Sequence, residues 1–399
     1  MRAGFWHAPG MTDVPFSMFQ NEIYLRGAGG VRPDLPMSFA ELERAAEQVL
    51  TEEAFGYVAG SAGSETTGAA NRAAFDRWRI VPRMLRGVME RDLRTSVLGT
   101  SMPSPVMLAP VGVQGIVHAD AELAVARAAS SLGLPFCLST VSSYSLEEVA
   151  EAAGDGPRWF QLYWPKDVSV RQSLLKRAEA SGYGAVVVTL DTMMLAWRPR
   201  DLRTGYLPFL AQKGLANYFT DPAFQAGLAK PVEEDPMAAV GHWIGMFGNP
   251  AATWEDLADL RADTSLPMLV KGVLDPEDAR RAIDCGMDGI IVSNHGGRQV
   301  DGSISSLEAL PRVIEAVAGA VPVLLDSGVR GGADVVKAVC LGAAAVLVGR
   351  PWVYGLGLAG EEGVRHVLRC ILAELDLTMA LSGRISVEEL TREVLVRDD

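Results

Sequence analysis

The chain has 399 residues, 49% hydrophobic and 21% charged, a balance that fits a globular protein with one large core. A formal net charge of -13 excludes a surface built to hold nucleic acid or anionic lipid, since both need clustered Lys and Arg. No apolar run reaches the length of a membrane span, and MRAGFWHAPGMTD carries no secretory apolar core, so a cytoplasmic protein is expected.

In chain order, residues 1–36 are rich in Gly, Pro and aromatics without a period and read as an irregular arm. Ser38 and Glu41 form a capping-box pattern that predicts a helix to about Leu50. Residues 1–100 together read as an N-terminal arm and helical extension, packed on a domain formed by 101–399. From Pro105 short apolar runs recur: Pro105–Ala109, Pro135–Ser139, Trp159–Tyr163, Ala185–Leu190, Pro267–Lys271, Gly289–Ser293, Pro322–Asp326 and Ala345–Gly349. Most are rich in Val, Ile and Leu without alternation, as strands buried on both faces are. Helical segments such as Asp120–Leu132, Pro276–Cys285 and Gly332–Leu341 follow them. Such strand–helix repetition predicts an α/β fold, a (β/α)8 TIM barrel. A doubly wound open sheet is the alternative; the eighth unit and the lack of GxGxxG after the first strand argue against it.

The rhythm breaks after the fourth strand. Residues from about Pro199 to Ala252 include LPFL, ANYFTD and HWIGMFG, too aromatic for disorder. They read as a long loop insertion, a lid over the barrel mouth or an oligomer contact. The four cysteines, Cys137, Cys285, Cys340 and Cys370, lack metal-site spacing and read as buried free thiols of a reducing compartment; no metal is expected.

Barrel chemistry sits at the C-terminal ends of the strands. Those ends carry Ala109-Pro110-Val111, Ser139-Thr140, Gln161 with Tyr163, Thr189 with Asp191, Lys271, Ser293 to Gln299, Asp326 to Arg330, and Gly349-Arg350. Polar groups at nearly every end imply a large polar ligand. Gly328, Gly331, Gly332 and Gly349 would permit close backbone approach, and Arg330 and Arg350 would neutralise a phosphate. Among five histidines only His295 ends a strand. It is the candidate base, with Asp191 its candidate partner. His7 lies in the arm, His118 at a helix start, His242 in the insertion and His366 on a helical pattern. Arg198, Arg298 and Tyr57 could hold a carboxylate, although Tyr57 needs a fold-back to reach the mouth.

From YVAGSAGSETT through LAPVGV, RWFQLYWPKD, VTLDT, LVKGV, SNHGGRQVDG and LLDSGVRGGADVVKA to VGRP, the chain resembles the FMN-dependent 2-hydroxy acid dehydrogenase/oxidase family. The resemblance covers about Asn21 to Leu390. NEIY, DTMMLAWRPRDL, LPFL, NYFTDPAFQ and the insertion are most similar to the lactate 2-monooxygenase branch. That resemblance implies FMN as cofactor, oxidation of a lactate-like L-2-hydroxy acid with O2, and decarboxylation of the oxo acid in the closed site. A simple oxidase releasing H2O2, or an FMN dehydrogenase for a larger or aromatic acid, stands as the alternative. It implies His295 as base, Asp191 as its partner, and Arg298, Arg198 and Tyr57 on the substrate carboxylate, with Tyr163 on the hydroxyl. Lys271, Ser139, Gln161, Thr189, Ser293 and backbone at Ala109, Pro110 and Val111 would hold the flavin ring. Asp326, Ser327, Gly328, Arg330, Gly349 and Arg350 would take ribityl and phosphate. Val141 stands where glycolate oxidases place an aromatic side chain, so a side chain beyond glycolate's is expected. A homotetramer or octamer is implied as well.

Overall fold

The computed structural model describes residues 14–398. The eight expected runs form strands: β1 Val106–Leu108, β2 Phe136–Ser139, β3 Arg158–Tyr163, β4 Val186–Thr189, β5 Met268–Val273, β6 Gly289–Val292, β7 Val323–Leu325 and β8 Ala345–Val348. They pair in parallel in chain order and close β8 onto β1, through Val346–Val106 to Val348–Leu108. Closure leaves no open edge and defines the (β/α)8 barrel.

Period-two alternation sorts each strand. Met107, Cys137, Trp159, Val187, Leu269, Ile291, Leu324 and Leu347, one per strand, belong to one buried cluster inside the barrel. Their neighbours along the chain, such as Leu108, Leu138, Phe160 and Val188, pack in the larger core that includes the helices. Val97 and Met102 of the hairpin Thr95–Val97/Thr100–Met102 join the inner cluster, and Trp159 Nε1 donates to Thr100 Oγ1 at 2.9 Å. One end of the barrel is thereby plugged with apolar side chains.

The extension folds as expected at Ser38, which caps the helix Phe39–Val49 with the full Ser38–Glu41 box. The irregular-arm reading needs correction: Met18–Ala28 is helical, while His7 lies outside the described residues. The helix has no side-chain cap and no acidic first turn, so its local signal is weak. Tertiary contacts hold it to the second of two C-terminal helices that meet at a kink at Ala359-Gly360 within Arg350–Leu381: Phe19 meets His366 edge-on at 5.9 Å, Arg369 lies over Phe19, and Arg369 pairs with Glu22 at 2.7 Å. Near the other end of the chain, Leu395–Arg397 pairs antiparallel with Trp78–Ile80.

The insertion is not an irregular loop. It contains helices Pro199–Thr204, Ala216–Phe219, Pro222–Ala226 and Pro236–Met246. Asp221 and Asp235 cap the last two, each followed by Pro at the first helical position. Aromatic packing gives the insertion its own core: Trp243 lies 4.5 Å from Phe209 and 4.6 Å from Phe247. Fully buried Asn217 clamps it to the barrel, donating to Thr140 O at 3.0 Å and accepting from Leu146 N at 2.7 Å. All four cysteines are free, but only Cys137 and Cys340 are buried, while Cys285 and Cys370 are half-buried. Among the described residues no helix is long and apolar enough to cross a membrane.

Replacing Asn217 by Ala strands a buried N–H and a buried carbonyl. The loss should be about 1–3 kcal/mol of stability, read as a lower denaturant midpoint at unchanged m-value.

Candidate active site

The alternation that fills the barrel also builds its floor. Two residues beyond each interior side chain, the C-terminal ends present Ala109, Ser139, Gln161, Thr189, Lys271, Ser293, Asp326 and Gly349. These side chains interlock. Ser139 Oγ donates to Gln161 Oε1 at 3.0 Å, and Gln161 Nε2 donates to Thr189 Oγ1 at 2.9 Å. Lys271 Nζ sits 3.5 Å from both Asp191 Oδ2 and Asp326 Oδ2. Burial opposes its charge, but the two carboxylates hold its pKa above the ordinary value.

Above this floor opens a cavity. Its lining takes in Tyr57, Ala109, Pro110, Val111, Val141, Tyr163, Arg198, Lys271, His295, Arg298, Asp326, Ser327, Gly328, Arg330, Gly349 and Arg350. Ser139, Gln161, Thr189 and Ser293 lie in the layer beneath, all buried. Gly331 and Gly332 are not part of the cavity. A Cβ at Gly332 would stand 2.0 Å from Leu375 N, so close helix packing requires glycine there, whereas one at Gly331 would meet only the movable Glu374 carboxylate.

His295 follows β6 in a left-handed conformation, φ 58°, rare for a residue with a side chain. Its N–H donates to Ser293 Oγ at 3.0 Å, and Gly296 N donates to Ser327 Oγ at 2.9 Å. The following turn is anchored by a reciprocal pair in which Asn294 and Asn71 exchange 2.8 Å amide bonds. Nδ1 of His295 lies 2.7 Å from Asp191 Oδ1, and Thr192 Oγ1 donates to that same oxygen at 2.8 Å. Burial would raise the Asp191 pKa, yet His295 and Lys271 beside it hold the carboxyl well below the usual range. It is therefore ionised, and Nδ1 must carry the proton, leaving Nε2 free to accept one. Burial lowers the pKa of His295 despite Asp191, so the ring is neutral at neutral pH.

Two guanidiniums, of buried Arg198 and half-buried Arg298, face the same space. Arg198 Nε donates to Arg298 O at 3.0 Å and its Nη2 to Gln299 Oε1 at 2.8 Å. Arg298 Nη1 donates to Tyr57 O and, at 2.9 Å, to Gly60 O. Neither makes an ion pair among the described residues. Burial, then Arg198, pushes Arg298 down to about 9, which still leaves it charged at neutral pH. Asp201 offsets part of their charge from a distance, but two cations with no direct ion pair still favour an anion between them. Tyr57 does fold back: Thr51 caps the helix Glu52–Ala59, and Arg298 lies over the Tyr57 ring at 4.9 Å. Tyr163 is pushed up to about 12 by burial, so its hydroxyl stays protonated and can donate.

Farther along the cavity, Arg330 is pushed down to about 10 by burial; its Nε is buried with no hydrogen-bond partner. Such an orphaned donor suits a phosphate. Arg350 has its nitrogens committed to carbonyls: Nε to Val58 at 2.9 Å, Nη1 to Gly296 at 3.0 Å and Nη2 to Gly60 at 2.9 Å. It ties the Tyr57 helix to the His295 turn as much as it supplies charge.

Sequence reasoning missed Thr192, Gln299, Ile116, Leu195, Phe209 and Phe247. Thr192 is adjacent to Asp191, and Gln299 closes the 293–299 run, so both were within reach. The apolar residues carried no chemical signal; only their place on the cavity wall marks them.

A barrel with a His–Asp pair and unpaired arginines over a polar floor defines a cofactor-dependent enzyme of anionic substrates. Residues 46–397 match the family model of FMN-dependent dehydrogenases, and the chain belongs to that family. It is 45% identical over 391 residues to an FMN-dependent alpha-hydroxy acid dehydrogenase of Penicillium citrinum, covering 97% of each chain. An L-lactate oxidase of Lysinibacillus sphaericus is 45% identical over 364 residues, 91% of this chain and 94% of that one. A crystal structure of mandelate oxidase with (S)-4-hydroxymandelic acid superposes at a TM-score of 0.80 with 42% identity, covering 90% of this chain and 98% of that one. The protein is an FMN-dependent 2-hydroxy acid oxidoreductase. The orphaned Arg330 Nε and the donor-rich floor with its buried Lys271 cation fit that cofactor.

The neutral, half-buried His295 sets a pH dependence. Protonation must compete with burial, so the acidic limb of kcat/KM should have an apparent pKa below 6.5. In Asp191→Asn, which removes the group that raises it, the limb should move lower still, measured over pH 4–8 in roughly half-unit steps. A limb above pH 7 in the wild type would contradict the assignment.

Proposed function

We propose that this enzyme oxidises a small, lactate-like L-2-hydroxy acid to its 2-oxo acid with O2 as acceptor. The observation that carries this reading is the pair of guanidiniums, Arg198 and Arg298, without a direct ion pair among the described residues, beside a neutral histidine whose Nε2 is free. A carboxylate on the two arginines satisfies their charge, Tyr57 lends its ring edge and hydroxyl, and C2 with its hydroxyl falls toward His295. Tyr163 donates to the substrate hydroxyl oxygen. His295 Nε2 removes a proton, and Asp191 stabilises the imidazolium so formed. FMN, when bound, takes up the two electrons. Arg330, with Ser327 and Gly328, would hold its phosphate end; Lys271, a permanent cation beneath the ring, would offset negative charge there. Ser139, Gln161, Thr189 and Ser293 would fix the ring through the floor network, with Ala109–Val111 against its face.

Val141, buried at the wall, leaves room for a methyl or larger side chain. The names of the relatives, which include a lactate oxidase and a mandelate oxidase, agree with a 2-hydroxy acid as substrate. A second reading is favoured by the folded insertion, whose Phe209 and Phe247 close one side of the cavity. A wall that retains the oxo acid lets peroxide decarboxylate it, so that lactate and O2 leave as acetate, CO2 and water. Exposed Met84, Leu85 and Met89 on one short segment are the kind of surface a second copy covers, in keeping with a homo-oligomer.

His295→Ala should keep its flavin while anaerobic reduction by L-lactate slows by about 10²–10⁴-fold in stopped flow. Unimpaired reduction would refute the base. In air, product analysis separates the two outcomes: free pyruvate with equimolar H2O2 marks the oxidase, acetate with CO2 the monooxygenase.

A further inference from the structure

The insertion contributes more than a cover. Its end re-enters the barrel mouth at Phe247, and three features fix that side chain. Phe247 N donates to Trp243 O at 2.8 Å, closing the helix Pro236–Met246. Lys166 N, just past β3, donates to Met246 O at 3.0 Å. Gly248 has φ 72°, and a Cβ there would stand 2.5 Å from Met193 O, so only glycine lets the chain pass this close to the loop after β4. Thus held, the Phe247 ring meets Tyr163 edge-on at 5.3 Å, with Trp243 at 4.6 Å and buried Phe209 at 6.2 Å tilted against it. Phe247 and Phe209 line the same cavity as Val141, Leu195 and Tyr163.

A 2-hydroxy acid in this cavity has its orientation set at one end. The carboxylate is drawn to Arg198 and Arg298, and C2 to His295. The fourth substituent at C2 then points toward the apolar part of the wall that holds Val141, Leu195, Phe209 and Phe247. We propose that Phe247, backed by Phe209, is a specificity-determining residue that sets the upper size limit of the substrate side chain. The inference rests on the functional reading above. Val141 leaves space on one side, and Phe247 limits it on the other. The chain thus admits short aliphatic side chains and disfavours aryl ones. This wall comes from an inserted segment rather than from a strand end, so its rigidity depends on the insertion's own aromatic core. One methylene more or less against such a wall changes kcat/KM by about tenfold or more.

The test uses the flavin-loaded full chain as wild type, Phe247→Ala and Phe247→Leu. Flavin reduction is measured with glycolate, L-lactate, L-2-hydroxybutyrate and (S)-mandelate, and the dissociation constants of pyruvate and phenylglyoxylate by flavin absorbance without turnover. Expected is a rise of about tenfold or more in the mandelate-to-lactate ratio of kcat/KM for Phe247→Ala. A smaller rise in the same direction is expected for Phe247→Leu, together with tighter phenylglyoxylate binding relative to pyruvate. If Phe247→Ala loses its fold, Phe247→Leu and the binding ratios decide the question alone. Equal changes for every acid, or unchanged ratios in the variants, overturn the inference and leave the functional reading standing. A wild type reduced by none of the acids overturns the functional reading, and this inference with it.

Discussion

Closure of the parallel barrel is the constraint on which the rest depends. Once β8 pairs with β1, alternate side chains of every strand point to one axis, and residues near the C-terminal ends share a single floor. The apolar level through Met107, Trp159 and Leu347 excludes water from below. In that dry setting the Lys271 cation is tolerable only between the Asp191 and Asp326 carboxylates, and Asp191 in turn stays charged because His295 and Lys271 face it. The electrostatics of the site are a consequence of strand geometry.

The left-handed His295 shows how the backbone serves the chemistry. A β6 that simply continued would carry the ring away from Asp191. The turn instead directs Nδ1 to the carboxylate, and Ser293, Ser327 and the Asn71–Asn294 pair supply the hydrogen bonds that offset its strain. Arg350 serves the same turn from β8 by bonding both Gly296 and the segment that carries Tyr57. The extension is thus bound into the site through backbone carbonyls, which no side-chain motif announces.

The insertion departs most from the local reading. Its Asp-Pro helix starts are present at Asp221 and Asp235, yet the segment reads as a long loop insertion because of its Gly, Pro and aromatic content. What makes it a structure is the packing of Phe209, Trp243 and Phe247 on one another, and Asn217 reaching the β2 carbonyls. The N-terminal helix Met18–Ala28 follows the same rule, since Phe19 and Glu22 find partners in Arg369 and His366 more than three hundred residues away.

By itself the sequence determined the eight strands and the residues at their ends, because buried parallel strands leave uninterrupted apolar runs and each end is punctuated by polar or glycine residues. It also determined the Ser38 helix start, where the capping bonds are made within four residues. Only the tertiary structure decided that Tyr57 reaches Arg298 and that Thr192 shares the Asp191 oxygen. It alone assigned Gly332 to helix packing rather than to the cavity, and put Phe247 on the cavity wall. Local pattern specifies what a segment buries; which distant surface it is buried against is set by packing between segments far apart in the chain, and that was legible only in the folded molecule.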